Sequence, residues 1–172
     1  MTINIYIKGG TKTQQQVTDE AARVFIKQLL PRKRTLNIDI TIRNTLIENA
    51  AGYCTHEDRD QFHVELHNRG TLFDYLSFLA HELVHVKQYS NRELVNKSYK
   101  SYWMGVDYSD VAYSKLPWEK EAWSSQYPMS KNYIKTNLGM TFVKAKNTSP
   151  RTMKKINWEV ECKVLEATCD AQ

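Results

Sequence analysis

The chain has 172 residues, with 24 Lys and Arg against 19 Asp and Glu, which gives a formal net charge of +5. With 41% hydrophobic and 25% charged residues, the composition excludes a disordered chain, and the length fits one domain with a buried core. No stretch approaches the ~18 consecutive apolar residues of a transmembrane helix, so we expect no membrane association. Because the N-terminus has no secretory pattern and the three cysteines are typical of reduced thiols, we expect a cytoplasmic protein.

The first 70 residues carry strand patterns and one helix pattern. Three segments alternate apolar and polar residues, which predicts half-buried strands: Ile3 to Ile7, Leu36 to Ile42 and Phe62 to Leu66. Thr18, followed by two acids, predicts the start of a helix that ends at Pro31. The polar stretch 49–60 is predicted to be a strand end and a loop.

Helical periodicity dominates the middle of the chain. From Leu72 to Tyr89, apolar residues recur at helical spacing over most of the circumference, so this long helix should be largely buried. The Tyr- and Trp-rich stretch 98–109 predicts a hairpin or an ordered loop. Pro117 suits the first turn of a further helix, which should run to Tyr127 before Pro128 kinks or ends it.

The last part of the chain differs in character from the rest. Five cations between Lys144 and Lys155 occur with no acid among them, and residues 156–164 then alternate as a strand would. We therefore divide the chain into a main domain over residues 1–138 and a basic extension over residues 139–172, which we expect to pack on the same domain.

The most specific chemical pattern is His81-Glu82-Leu83-Val84-His85 on the predicted long helix. Side chains four positions apart lie one turn apart on the same face, so both imidazoles can reach one metal ion at ~2.0–2.1 Å. Glu82 lies about 100° round the helix from His81, where it could take a proton from a metal-bound water. Because buried ionisable groups are costly unless paired or metal-bound, the apolar flanks favour a metal site over a chance pattern.

A third ligand has to come from another element, because catalytic zinc sites usually have three protein ligands and one open position. The helix predicted to start at Pro117 offers Glu119 and Glu121, which are about 200° apart, so only one of them can face the metal. Ala122 lies on nearly the same face as Glu119, and a small residue there would let the two helices approach closely. The spacing favours Glu119 and leaves Glu121 as the alternative.

The motif at 81–85, followed by a helical Glu-x-x-Ala at 119–122, resembles the gluzincin branch of the zinc metallopeptidases. The Pro-Trp-Glu-x-Glu-Ala form, with Trp-x-Gly at 103–105, is similar to small zincin-like proteins encoded by bacteriophages. The matching motifs cover residues 72–123, and the strand patterns before them fit the mixed sheet of zincin folds.

The resemblance implies an α+β, zincin-like fold with a mixed, mostly antiparallel sheet packed on the long helix and a second helix that supplies the third ligand. It implies hydrolysis of peptide bonds with one zinc ion per chain, bound by His81, His85 and Glu119, and with Glu82 as general base and acid. A peptide or protein substrate would lie along a sheet edge, for which Phe62 to His67 is the candidate strand.

Three departures from the family pattern bear on catalysis. Lys87 stands where larger peptidases usually have an apolar residue, and Trp123 replaces an acid that often supports a ligand histidine. No histidine follows His85, so a cation or a tyrosine would have to stabilise the oxyanion. The candidate tyrosines are Tyr108, Tyr113 and Tyr127.

Two functions of different classes remain open after these observations. The first is a zinc metallopeptidase. The second is a zinc-stabilised, non-catalytic binding protein that contacts nucleic acid or an acidic partner through the cations at 144–155 and 32–34. His63, Glu65 and His67 share one face of their predicted strand, and we interpret this face as polar and exposed or facing the cleft.

Overall fold

The computed structural model describes residues 2–46 and 50–138. This part of the chain is a mixed α+β structure with three α-helices and two sheets, so the predicted class is confirmed. The basic extension and its predicted strand at 156–164 lie outside the described residues. The elements are β1 (Thr2–Gly9), α1 (Lys12–Leu29), β2 (Thr35–Arg43), β3 (Gly52–Asp58), β4 (Gln61–His67), α2 (Leu72–Ser90), β5 (Leu94–Lys97), β6 (Lys100–Trp103), β7 (Val106–Asp107), a 3-10 helix (Tyr113–Lys115) and α3 (Pro117–Asn137).

The main sheet has four strands in the order β1-β2-β4-β3. β1 and β4 both pair with β2 in parallel, and β3 pairs with β4 in antiparallel fashion. The sheet is mixed as predicted, but the expectation that it is mostly antiparallel is wrong. The reason lies in the connections: α1 returns the chain between β1 and β2, and β3 returns it between β2 and β4.

The core lies between one face of this sheet and the helices. Leu36, Ile38 and Ile40 of β2 and Phe62 and Val64 of β4 are at most 1% exposed, and the residues between them are half-buried. Burial of each such side chain contributes about 1.5–3 kcal/mol relative to exposure. α1 and α2 pack on the buried face, and α3 packs on α2, which is therefore enclosed as its apolar circumference predicts.

The prediction that Thr18 caps the first helix is wrong. Thr11 is the N-cap: its hydroxyl accepts from the backbone N–H of Gln14, whose side chain accepts from the backbone N–H of Thr11. Thr18 is buried inside α1, where its hydroxyl donates to the Gln14 carbonyl at 2.6 Å and lies 2.8 Å from the Tyr75 hydroxyl of α2.

Of the two predictions for Pro128, that it ends its helix near Tyr127 is wrong, because α3 continues to Asn137. Residues beyond the proline, among them Tyr133 and Ile134, are buried in the core. That burial offsets the hydrogen bond that proline cannot donate.

The edge of the main sheet next to α2 is β3, in the segment predicted as a strand end and a loop. Among the described residues, β3 pairs with β4 alone and is largely exposed, so its sequence is polar and carries no clear alternation. The strand proposed as the substrate edge, Phe62 to His67, is β4, which lies inside the sheet between β2 and β3. The prediction that this strand is an edge is therefore wrong, and among residues 2–46 and 50–138 β3 is the edge on this side.

The stretch predicted as a hairpin or an ordered loop belongs to a small antiparallel sheet in the order β5-β6-β7. This small sheet follows α2 and leads to α3. Trp103 of β6 packs against Trp118 of α3, with the ring centroids 6.3 Å apart. None of the helices in the described ranges has the length and apolar character needed to cross a bilayer.

Candidate metal centre

α2 and α3 lie side by side and run antiparallel. Gln88, near the end of α2, donates to the backbone carbonyl of Trp118 at the start of α3, whereas Phe73 at the start of α2 stacks on Tyr127. Ala122 lies fully buried between these two contacts along α3. A methyl side chain at this position keeps the two helices close enough for polar side chains to meet across them.

The helix pair brings His81, His85 and Glu119 together. The two histidine Nε2 atoms are 3.2 Å apart, and they lie 3.2 Å and 3.5 Å from the carboxylate oxygens of Glu119. Ligand atoms at about 2.0–2.1 Å from a tetrahedral ion are about 3.3–3.4 Å apart, so these spacings fit a single metal ion. Only 12% of the His81 side chain, 10% of His85 and 7% of Glu119 is exposed.

Each of these histidines is held through its other ring nitrogen by a glutamine. His81 Nδ1 lies 2.9 Å from Oε1 of Gln126, and His85 Nδ1 lies 2.8 Å from Oε1 of Gln88. Such contacts orient the imidazole that binds a metal. Sequence reasoning missed both glutamines as partners, although Gln88 falls on the same helical stripe as the histidines.

Glu121, the alternative third ligand, does not face the histidines. Its carboxylate accepts from Lys87 Nζ at 2.8 Å and from Gln88 Nε2 at 2.8 Å. Lys87, near the end of α2, also donates to Glu93 at 2.6 Å, so this lysine bridges two acids. The geometry therefore groups Glu119, and not Glu121, with the histidines.

Glu82 is buried on α2 beside the three donor side chains. Burial raises the pKa of Glu82 to about 8, against the attraction of His81 and with the repulsion of Glu119. Burial also lowers the pKa of His85, which favours the neutral imidazole that metal binding requires. Space for the Glu82 side chain comes from Gly52, because a Cβ there would lie 2.7 Å from Glu82 Oε1.

These residues line a cleft of about 620 Å³ between β3, α2 and α3. Its wall includes Gly52, Tyr53 and Cys54 from β3, Phe78, His81, Glu82, His85 and Tyr89 from α2, Tyr113 from the 3-10 helix, and Trp118, Glu119, Trp123 and Gln126 from α3. Outside the donor group and Glu82, the described residues of the wall are aromatic, aliphatic or uncharged polar.

Of the three tyrosines considered for oxyanion stabilisation, Tyr113 is the one in the cleft wall. Its hydroxyl donates to Glu119 Oε2 at 2.8 Å. Tyr108 packs against Trp118 at 6.0 Å between ring centroids, and Tyr127 stacks on Phe73 at the start of α2.

The remaining histidines do not join the donor group. His56 stacks on Phe62 and Tyr89, and His63 lies 3.5 Å from Glu65 on the partly exposed face of β4, in keeping with the interpretation of that face as polar. His67, on the same face, is half-buried. Within the part of the chain that the structure describes, His81, His85 and Glu119 are the one group of this kind that could hold a metal ion.

The fold and the site together define an α+β protein with a buried His-His-Glu group that could hold a metal ion. Comparison of the chain with protein-family models, with curated proteins and with solved structures finds no match in any of the three. Its function has therefore to be argued from the geometry of the site.

Proposed function

We propose that the protein is a zinc-dependent metallopeptidase of the zincin type. The observation that carries the proposal is the grouping of His81, His85 and Glu119, with donor atoms within 4.8 Å of one another, in the cleft that also holds the Glu82 carboxyl. Two imidazoles and one carboxylate form a known ligand set of catalytic zinc, and three protein ligands leave one position open.

The residues of the cleft would have different roles in the hydrolysis of a peptide bond. Zinc held by the three donors would polarise the substrate carbonyl and lower the pKa of the attacking water. Glu82 accepts the proton of that water and passes it to the leaving amine. Tyr113, whose residue surface is 61% exposed, can turn its hydroxyl from Glu119 towards the carbonyl oxygen that gains negative charge.

A substrate chain in extended conformation would pair with β3. An edge strand presents its outer backbone groups to an incoming strand, and the first residues of β3 form one wall of the cleft. Phe78 and Trp123 contribute aromatic surface to that cleft, whose acidic residues within the described ranges are Glu82 and Glu119. This lining favours peptides with apolar side chains near the bond that is cut.

Protein purified without added metal and without a histidine tag should contain about one zinc ion per chain, measured by plasma mass spectrometry. Removal of the ion with a chelator should abolish cleavage of an unfolded protein substrate, and one equivalent of zinc should restore it, whereas magnesium should not. The metal-free protein should also unfold at a lower temperature, because zinc binds the folded site. A protein that neither contains nor takes up zinc would contradict the proposal.

Tyr113→Phe should lower kcat by about 10²–10³-fold and change KM little, because the hydroxyl acts on charge that develops in the transition state. Steady-state kinetics on a peptide substrate, with zinc content measured in parallel, tests this. Tyr127→Phe is the matched control, since it removes an exposed hydroxyl outside the cleft. If Tyr113→Phe kept the wild-type kcat, Tyr113 would have no part in the chemistry.

The alternative of a non-catalytic binding protein stays a prediction. Its main cations, between 144 and 155, lie outside the described residues. In the second basic cluster, Lys33 forms an ion pair with Asp60.

A further inference from the structure

A continuous chain of hydrogen bonds links the end of α2 to the candidate ligand His85. Lys87 Nζ donates to Glu93 at 2.6 Å and to Glu121 at 2.8 Å. The other oxygen of Glu121 accepts from Gln88 Nε2 at 2.8 Å, and Gln88 Oε1 lies 2.8 Å from His85 Nδ1. Gln88 is fully buried, so protein groups have to satisfy its amide.

The partners of Gln88 determine which way its amide points. Its Nε2 faces the backbone carbonyl of Trp118 at 2.9 Å and the Glu121 carboxylate, and both of these groups accept hydrogen bonds. The amide oxygen is therefore the atom turned towards His85, and an oxygen can only accept. It follows that His85 carries its hydrogen on Nδ1.

The same assignment leaves the Nε2 lone pair of His85 free. That atom is the one that lies 3.2 Å from His81 Nε2 and 3.5 Å from Glu119, in the group that fits a metal ion. The opposite tautomer would place a hydrogen between His85 and the metal and leave Gln88 Oε1 facing a lone pair. Glu121 thus helps to orient Gln88, and through Gln88 it influences the tautomer of His85, although its own carboxylate does not face the histidines.

We propose that Gln88, held in its orientation by Glu121, is a positioning residue that keeps His85 in the Nδ1–H tautomer and so sets the zinc affinity of the centre. The inference rests on the zinc site of the proposed function, and it does not depend on peptidase activity. In this arrangement α3 supports the metal twice, directly through Glu119 and indirectly through Glu121.

Gln88→Met tests the proposal, because methionine fills a similar volume and offers no strong acceptor to His85. Competition with a chromophoric chelator should show zinc binding about 10- to 100-fold weaker than in the wild-type protein. In the metal-free wild-type protein, where no ion fixes the tautomer, long-range ¹H–¹⁵N NMR spectra should show the His85 hydrogen on Nδ1. In the variant this Nδ1–H should exchange faster with solvent.

The double variant Gln88→Glu/Glu121→Gln is the matched control. It exchanges the two groups, so that a neutral carboxyl at position 88 can accept from His85 Nδ1–H, donate its O–H to the Trp118 carbonyl and accept from the amide at position 121. Its zinc affinity should return to within a few-fold of the wild-type value, and circular dichroism of the metal-free proteins checks that each variant folds.

Three results would overturn the inference: wild-type zinc affinity in Gln88→Met, a double variant that binds zinc no better than that single variant, or a hydrogen on Nε2 of His85 in the wild-type protein. The NMR result is obtained on the wild-type protein and does not require a variant to fold. A protein that shows the expected dependence on Gln88 but cleaves no peptide would support this inference and contradict the peptidase activity alone.

Discussion

Glu82→Gln should remove peptide cleavage and leave the zinc ion in place. The substitution keeps the size of the side chain, which is buried against Gly52, but an amide cannot accept the proton of the attacking water. General base catalysis contributes about 10²–10⁴-fold, and we expect kcat to fall by that factor. The measurement is the initial rate on a peptide substrate, together with zinc content by plasma mass spectrometry.

The control for this variant is Glu65→Gln on β4. Glu65 is an acid that is partly buried, but unlike Glu82 it pairs with Arg43 and lies outside the cleft. It should keep both activity and zinc. Full activity in Glu82→Gln would contradict the role of Glu82, and a loss of zinc in that variant would place Glu82 among the ligands.

Glu119→Gln should strip the centre of zinc. A neutral amide oxygen is a weaker zinc ligand than a carboxylate, and the site would lose the negative charge that faces two imidazoles. We expect the zinc affinity to fall by more than about 100-fold, because loss of a hydrogen bond to a ligand already costs up to about that factor. Chelator competition measures the affinity, and cleavage should disappear at zinc concentrations that saturate the wild-type protein.

Glu121→Gln is the matched partner of that experiment, since the two acids are close neighbours on α3. An amide at position 121 can still accept from Gln88, so most of the zinc affinity should remain. The ion pair with Lys87 would be lost, and for a partly exposed pair this should cost about 0–1 kcal/mol of stability. Zinc lost in Glu121→Gln and kept in Glu119→Gln would reverse the assignment of the third ligand.

Much of this arrangement follows from local patterns in the chain. The length and burial of α2 follow from its 3.6-residue periodicity, and the four-residue spacing of its histidines places them on one face wherever the helix packs. The alternation in β2 likewise predicts its buried face. The order of strands in a sheet cannot be deduced from one segment. The sequence of residues 62–67 does not indicate whether this strand pairs on one side or on both, and in the structure it pairs with β2 and with β3.

The details of the site depend on how one helix is rotated against the other. Residue spacing on α3 allows either Glu119 or Glu121 to face the histidines. Ala122 is fully buried where α3 approaches α2, and Glu119 lies on nearly the same face as Ala122, so Glu119 is the one that faces them. The contact between His81 and Gln126 spans 45 residues and leaves no periodic trace. Such contacts require the three-dimensional packing of α2 and α3, which residue spacing alone does not contain.

The absence of a side chain at Gly52 ties the edge of the sheet to the proposed proton acceptor. A Cβ at position 52 would lie 2.7–2.8 Å from atoms of the Glu82 side chain, so the backbone of β3 packs closely on that side chain. A peptide that pairs with β3 would therefore bind to a strand whose backbone packs directly on Glu82. In the proposed peptidase, the strand that would position the substrate would then be the same strand that limits where the proton acceptor can lie.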